Sequence, residues 1–440
     1  MSIYTSHVHK NIQSLITFLC LPFQRCMKYA FVQEYVLKMK QPPPQHSSAS
    51  ASVNKYAIFV LHEKSYLGGL GDRLGGLISA FSFALRTNRT FLMEADESFQ
   101  HSFTPYHSPD EIDDTIKTWG NLSWSGYSKE LQSMHSMVTL NCINPKPRET
   151  KCALDSDKPE QIVRIRMNRS YLCRWLTAGC PDAEAELKTM GLGPTSDLFE
   201  ASGCMMRLAM WPTKSLWERV YQELPPSRLP QDATADTKVT LYPIISMHFR
   251  CGDLNFKGKK GDSKDASCMH SESWHGVDFG DARSMDSPID MSTCGKEILK
   301  NLDDKNTVVN IASDNEGSIR QMNSSLEWHR TFVPSTASCH VDLDKSGQCS
   351  LLTLQAWFTL AISDHIILQS IDESATYFIQ KTIPEGTLTA ASAFSRYAAM
   401  YSLSPSQGGL KFAQNCTVID SSKFGYITQG NWVCKSKIFY

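Results

Sequence analysis

The chain has almost no net charge. Its 44 lysines and arginines stand against 45 aspartates and glutamates, a balance of −1, so no overall field recruits nucleic acid or an anionic membrane. The one basic cluster, Lys257, Lys259 and Lys260 in "FKGKKGDSK", reads as a solvated loop. No apolar run reaches the roughly 20 residues that a membrane-spanning helix needs; "NIQSLITFLCLPF" at 11–23 falls short and contains Gln13. No pair of cysteines forms CxxC and no Cys/His group has zinc-finger spacing, which leaves no metal site in view. Other familiar signatures are missing too. Counting from Gly69 and Gly71, position 74 is leucine, which rules out a G-x-G-x-x-G dinucleotide loop, and Arg73-Leu74 stands where a Walker A loop needs Lys-Ser/Thr. His62-Glu63 lacks the second histidine of HExxH, no G-x-S-x-G elbow occurs, and no internal repeat is visible.

What is present points to a large globular protein of two or three domains: 440 residues, 41% hydrophobic and 20% charged. Fourteen cysteines and five N-x-S/T sequons, at Asn88, Asn121, Asn168, Asn323 and Asn415, tilt the expected location to the oxidising lumen of the secretory pathway, Golgi or ER. Cys173/Cys180 and Cys339/Cys349 are close enough in sequence to close short loops, while Cys251 also reads as a buried thiol. The segment 11–23, with His9 and Lys10 before it, has two readings: a signal peptide or weak anchor, and an amphipathic or disordered leader.

"QPPPQHSSASAS" at 41–52 has no means of burying surface and reads as a linker. Residues 1–54 are therefore expected to be leader and stalk. From there "KYAIFVLH" reads as a buried strand, and Gly68, Gly69 and Gly71 as a turn. Leu74, Leu77, Ile78, Phe81, Ala84 and Leu85 recur at helical spacing, and "RTFLMEAD" reads as a second strand. Strand, glycine turn, helix, strand is a βαβ unit, which implies a parallel α/β sheet. Residues 100–200 carry little periodicity. "SLWERVYQEL" at 215–224 is helical, and the Pro-rich "PPSRLPQDATADTK" at 225–238 is taken as the boundary between domains at 55–237 and 238–440. The rhythm then resumes with strands at 240–249 and 306–314, a helix at 351–362, the strand "DHIILQS" and a helix in "SAFSRYAAMYS".

Four short motifs carry chemistry. In "PIISMHFRCGDLNF" a buried strand delivers His248 and then Arg250 to its carboxyl end, with Gly252 and Asp253 in the turn that follows. Ligands of open parallel sheets bind outside the carboxyl ends of the strands, and a guanidinium fork suits phosphate oxygens. The plainer reading pairs Arg250 with Asp253. In "NIASDNEG" the strand ends at Asp314, which can accept from ribose hydroxyls or cap a helix. "SAFS" places Ser392, Phe394 and Ser395 at the start of a helix, where hydroxyls and N–H groups can cradle an anion; Ser392 reads equally as an N-cap. The turn at Gly69 and Gly71 offers a similar helix terminus or simply a tight βα connection.

In this order the motifs resemble the superfamily of GDP-fucose fucosyltransferases that contains the protein O-fucosyltransferases and the α1,2- and α1,6-fucosyltransferases. "GGLGDRLGGLISAFSFALRTNRTFLM" is similar to its glycine motif, "HFRCGD" to its H-x-R-x-G-D motif, and "IASDN" and "SAFS" to its two later sugar-nucleotide motifs. The resemblance implies a GT-B fold, two Rossmann-like domains facing a cleft, and GDP-fucose as donor substrate with no cofactor and no metal. It implies that Arg250 holds the β-phosphate, that Asp314 contacts the nucleoside, and that Ser392, Phe394 and Ser395 contact phosphates. His248 and Gly252 belong to the arginine motif, and Gly69, Gly71, Asp72 and Arg73 would face donor sugar and acceptor. The expected reaction is an inverting transfer to a glycan or glycoprotein hydroxyl, with Asp72 or Asp253 assisting the acceptor. Two alternatives stand beside it: a GT-B transferase using another sugar nucleotide, and an inactive homologue that binds a glycan or protein.

Overall fold

A computed structural model describes residues 25–39, 55–61, 69–104, 136–142, 158–168, 188, 190–192, 198–223, 244–249, 288–302, 307–313, 316–326, 330–332, 348–363, 365–368, 393–402, 412–414 and 417–419. Its compact units are Cys20–Thr213 and Lys214–Ile427. Among the described residues no helix is long and apolar enough to cross a membrane.

The first unit contains α1 (Ala30–Met39), β1 (Tyr56–Val60), α2 (Leu70–Arg86), β2 (Thr90–Glu94), α3 (Glu97–Ser102), β3 (Phe103–Thr104), β4 (Met137–Cys142), β5 (Ile162–Met167), α4 (Leu198–Ala209) and β6 (Trp211–Pro212). Its main sheet is wholly parallel in the order β2-β1-β5-β4, with Ile58 in register with both Leu92 and Arg164. The apolar positions recognised along 74–84 lie buried in α2. Phe81 meets Phe91 of β2 edge-on at 4.8 Å between ring centroids and Tyr35 of α1 at 5.0 Å. Close approach of helix to sheet depends on Gly76: a Cβ there would lie 2.0 Å from the Met167 carbonyl oxygen and 3.1 Å from the Phe59 ring.

At the amino-terminal edge of this sheet, the Arg89 guanidinium is a clamp. It donates to the carbonyls of Tyr56 (3.3 Å), Glu160 (3.0 Å), Gln161 (3.1 Å) and Lys158 (2.6 Å), fastening the starts of β1 and β5 to the end of α2. Nearer the other edge, Arg164 donates its Nε to both carboxylate oxygens of Glu94, at 2.9 and 3.1 Å. Both side chains are largely buried, so each charge depends on the other for solvation.

Residues 25–39 depart from the expected stalk. Cys26 is disulfide-bonded to Cys204 of α4, Phe31, Val32 and Tyr35 are buried, and Lys28 pairs with Glu200. The Pro/Ser-rich composition of 41–52 marked a linker, but the amphipathic turns before it have partners in the fold.

The second unit contains α5 (Lys214–Glu223), β7 (Ile244–Phe249), α6 (Pro288–Leu302), β8 (Val308–Ser313), α7 (Glu316–Ser325), β9 (Arg330–Phe332), α8 (Gln348–Ala361), β10 (His365–Leu368), α9 (Ala393–Ser402), β11 (Phe412–Gln414) and β12 (Thr417–Ile419). The sheet β10-β7-β8-β9 is again wholly parallel, and β11 and β12 pair antiparallel. The expected boundary at 237/238 differs from the structure, where α5 sits with the second unit because Trp217 packs edge-on against Phe358 of α8 at 4.7 Å.

The two faces of this sheet are unlike. On one, Ile245, Met247, Phe249, Val309, Ile311 and Ile367 form an apolar cluster with Met291 and Leu299 of α6, Met322 of α7 and Leu326 just after it. On the other, Asn310 Nδ2 donates to Ser246 Oγ (2.8 Å), which shares a hydrogen bond with Ser363 Oγ (2.6 Å), itself donating to the Thr359 carbonyl of α8 at 2.8 Å. Such a network fixes the position of α8 over the sheet more narrowly than apolar contact does. Cys349, at the start of α8, is also held in a disulfide; Cys339, Cys173 and Cys180 lie outside the described residues.

Replacing Gly76 with alanine forces α2 away from β5. The expected loss is about 2 to 3 kcal/mol of stability, read as a lower urea midpoint with an unchanged slope; an unaltered midpoint would contradict the packing.

Candidate functional site

All strands of the second sheet run the same way, so their carboxyl ends share one edge. Phe249 and Ser313 are register partners, as are His248 and Leu368. The chain therefore leaves β7 and β8 at the same level, immediately before Arg250 and Asp314 in sequence. Arg250, Gly252, Asp253, Asp314 and Ser392 themselves lie outside the described residues.

His248, the penultimate residue of β7, is 7% exposed. Its ring packs against that of Phe394, with centroids 5.1 Å apart and planes tilted by 32°, a separation within the contact range of aromatic pairs. Phe394 is the second residue of α9. The contact therefore sets the amino terminus of α9 at the carboxyl edge of β7, with its first-turn N–H groups and the positive end of its dipole at that edge. Ser395 follows as a buried residue. The Phe394 carbonyl accepts from Trp357 Nε1 at 3.1 Å, and Trp357 packs edge-on against Tyr401 of α9 at 5.2 Å. Two motifs far apart in sequence, "HFRCGD" and "SAFS", thus meet through described side chains. Sequence reasoning missed Trp357; its signal was the one indole within the helix expected at 351–362.

The glycine motif belongs to the first unit. Gly69 is the N-cap of α2, with φ −64 and ψ 171 and no side-chain cap. Among the described residues a Cβ built there meets nothing within 4 Å, and its backbone angles are open to any residue. Gly71 is buried and Asp72 half-buried in the first turn, where a carboxylate interacts favourably with the helix dipole. Arg73 is 3% exposed, and its guanidinium donates to the Leu61 carbonyl at 3.1 Å. That bond ties α2 to the carboxyl end of β1 and gives Arg73 a role in holding the turn.

No protein-family model matches the sequence, and no curated protein matches it. Solved structures do. The chain is similar to a mutant of Arabidopsis thaliana FUT1 in complex with GDP (15% identity, 92% of this chain and 80% of that one covered, TM-score 0.43). It is similar to the fucosyltransferase NodZ from Bradyrhizobium (15%, 78% and 93%, TM-score 0.34), and to POFUT1 in complex with GDP-fucose (10%, 83% and 99%, TM-score 0.41).

Gly69→Ala should change stability by less than about 1 kcal/mol, since loss of a tolerated cap residue is offset by a less flexible unfolded chain. If the open space over Gly69 is kept for substrate, the same variant turns over more slowly. Urea unfolding and turnover on one preparation check this; unchanged turnover would leave Gly69 as a connector only.

Proposed function

We propose that the chain is a fucosyltransferase that moves fucose from GDP-fucose to a hydroxyl of a glycan or glycoprotein, with inversion at the anomeric carbon. The His248–Phe394 contact is the observation that supports this reading best. The arginine motif and the "SAFS" motif, which the family resemblance assigns to one diphosphate, are carried by a strand end and a helix start that touch. In the proposed reaction the acceptor hydroxyl attacks the anomeric carbon as the bond to the β-phosphate oxygen breaks. Negative charge grows on the departing GDP. Arg250 and the N–H groups at the start of α9 stabilise that charge more in the transition state than in the ground state. Asp72 or Asp253 takes the acceptor proton. Asp314 holds the nucleoside, and no metal takes part. The disulfides of Cys26–Cys204 and Cys349 support a location in the oxidising secretory lumen.

Purified protein incubated with GDP-fucose and a panel of other sugar nucleotides should release nucleotide from GDP-fucose fastest. Arg250→Ala should lower that rate by roughly 100-fold or more. A faster reaction with another donor would reassign the specificity, and undiminished turnover by Arg250→Ala would remove the arginine from the mechanism.

A further inference from the structure

Asn88-Arg89-Thr90 is a sequon whose outer residues are exposed and whose middle residue is 3% exposed. Its geometry comes from the way α2 ends. Asn88 N–H donates to the Leu85 carbonyl (3.2 Å) and Arg89 N–H to the Ala84 carbonyl (2.8 Å), a Schellman closure that needs a left-handed residue after the cap. Asn88 is that residue, with φ 51, and asparagine tolerates the conformation better than most. Arg89 turns inward onto its four carbonyls, while Thr90 N–H joins the sheet by donating to the Lys55 carbonyl at 2.9 Å. The sequon is pinned by its backbone and its central side chain, and presents Asn88 and Thr90 to solvent.

We propose that Asn88 carries an N-linked glycan. The co-reactant is a lipid-linked diphosphate oligosaccharide. The carboxamide nitrogen forms a bond to the sugar's anomeric carbon, the bond from that carbon to the diphosphate oxygen breaks, the amide proton passes to a base, and the lipid diphosphate leaves; no electrons are exchanged. The proposal rests on the secretory-lumen reading, the compartment in which such transfer and disulfide formation both occur. It also goes beyond that reading, because it separates one sequon from the others. Asn168 is 6% exposed at the end of β5, a position that the folded chain closes to a glycan. Asn323 lies within α7 with its carboxamide oxygen accepting from Thr331. Asn121 and Asn415 fall outside the described residues. Asn88 also stands at the amino-terminal edge of the first sheet, a strand's length (roughly 15 Å for five residues) from the glycine turn at the carboxyl edge, so a glycan there leaves that turn open.

The test is to produce the full chain in eukaryotic secretory cells, release N-glycans with a peptide N-glycosidase in heavy-oxygen water, and map the labelled aspartates by peptide mass spectrometry. Label is expected at Asn88 and not at Asn168. Thr90→Val, a good strand residue at the start of β2, should remove one glycan from the intact protein, and Thr90→Ser should keep it. Unlabelled Asn88 in protein whose Cys26–Cys204 bond has formed overturns the proposal alone. Absence of both the label and the disulfide overturns the compartment reading and the proposal with it.

Discussion

In a sheet whose strands all run one way, every strand delivers its last residue to the same edge. That constraint governs both units of this protein. Parallel pairing needs crossover helices, and each crossover begins where a strand ends, so helix amino termini collect at the carboxyl edge. In the second unit Phe249 and Ser313 reach that edge together, and α9 is brought to it by the Phe394 ring on His248. A ligand with concentrated negative charge is the natural occupant of such an edge.

The same constraint divides labour along each sheet. In the first unit the amino-terminal edge is given to fastening: the Schellman closure at Asn88 and the Arg89 clamp satisfy carbonyls of three separate segments. At the carboxyl edge Gly69 caps α2 with backbone angles open to any residue and, among the described residues, no neighbour within 4 Å of an added Cβ. In the second unit the division is across the sheet. The α6 and α7 side is apolar, while the α8 side places Ser246, Asn310 and Ser363 in hydrogen-bonded contact beneath the helix that supports Phe394 through Trp357.

Much of this was legible in the sequence, and the reason is physical. Inner strands of parallel sheets are apolar on both faces, so "YAIFV" and "IISMHF" stand out as runs, and α2 shows its buried face as helical spacing. β5 escaped notice because "IVRIRM" carries arginines at alternate positions; the Glu94 partner that makes Arg164 tolerable is remote in sequence. The Cys26–Cys204 link could not be read from spacing among fourteen cysteines, and α5 found its partner across a Pro-rich stretch that looked like a border. Motif types identified His248 and Phe394 separately; that their rings touch is information only the fold contains. Arg73, expected among substrate contacts, is seen bonded to the Leu61 carbonyl.

The proposed function requires the carboxyl edge of the second sheet to bind a nucleoside diphosphate through its terminal phosphate. Calorimetric titration of GDP and GMP into the purified chain tests this without needing the acceptor. Saturable binding of GDP at one site is expected, with GMP much weaker and the preference for GDP abolished in Arg250→Ala. Equal affinity for GDP and GMP, or an Arg250→Ala variant that binds GDP as tightly as the parent, would contradict it.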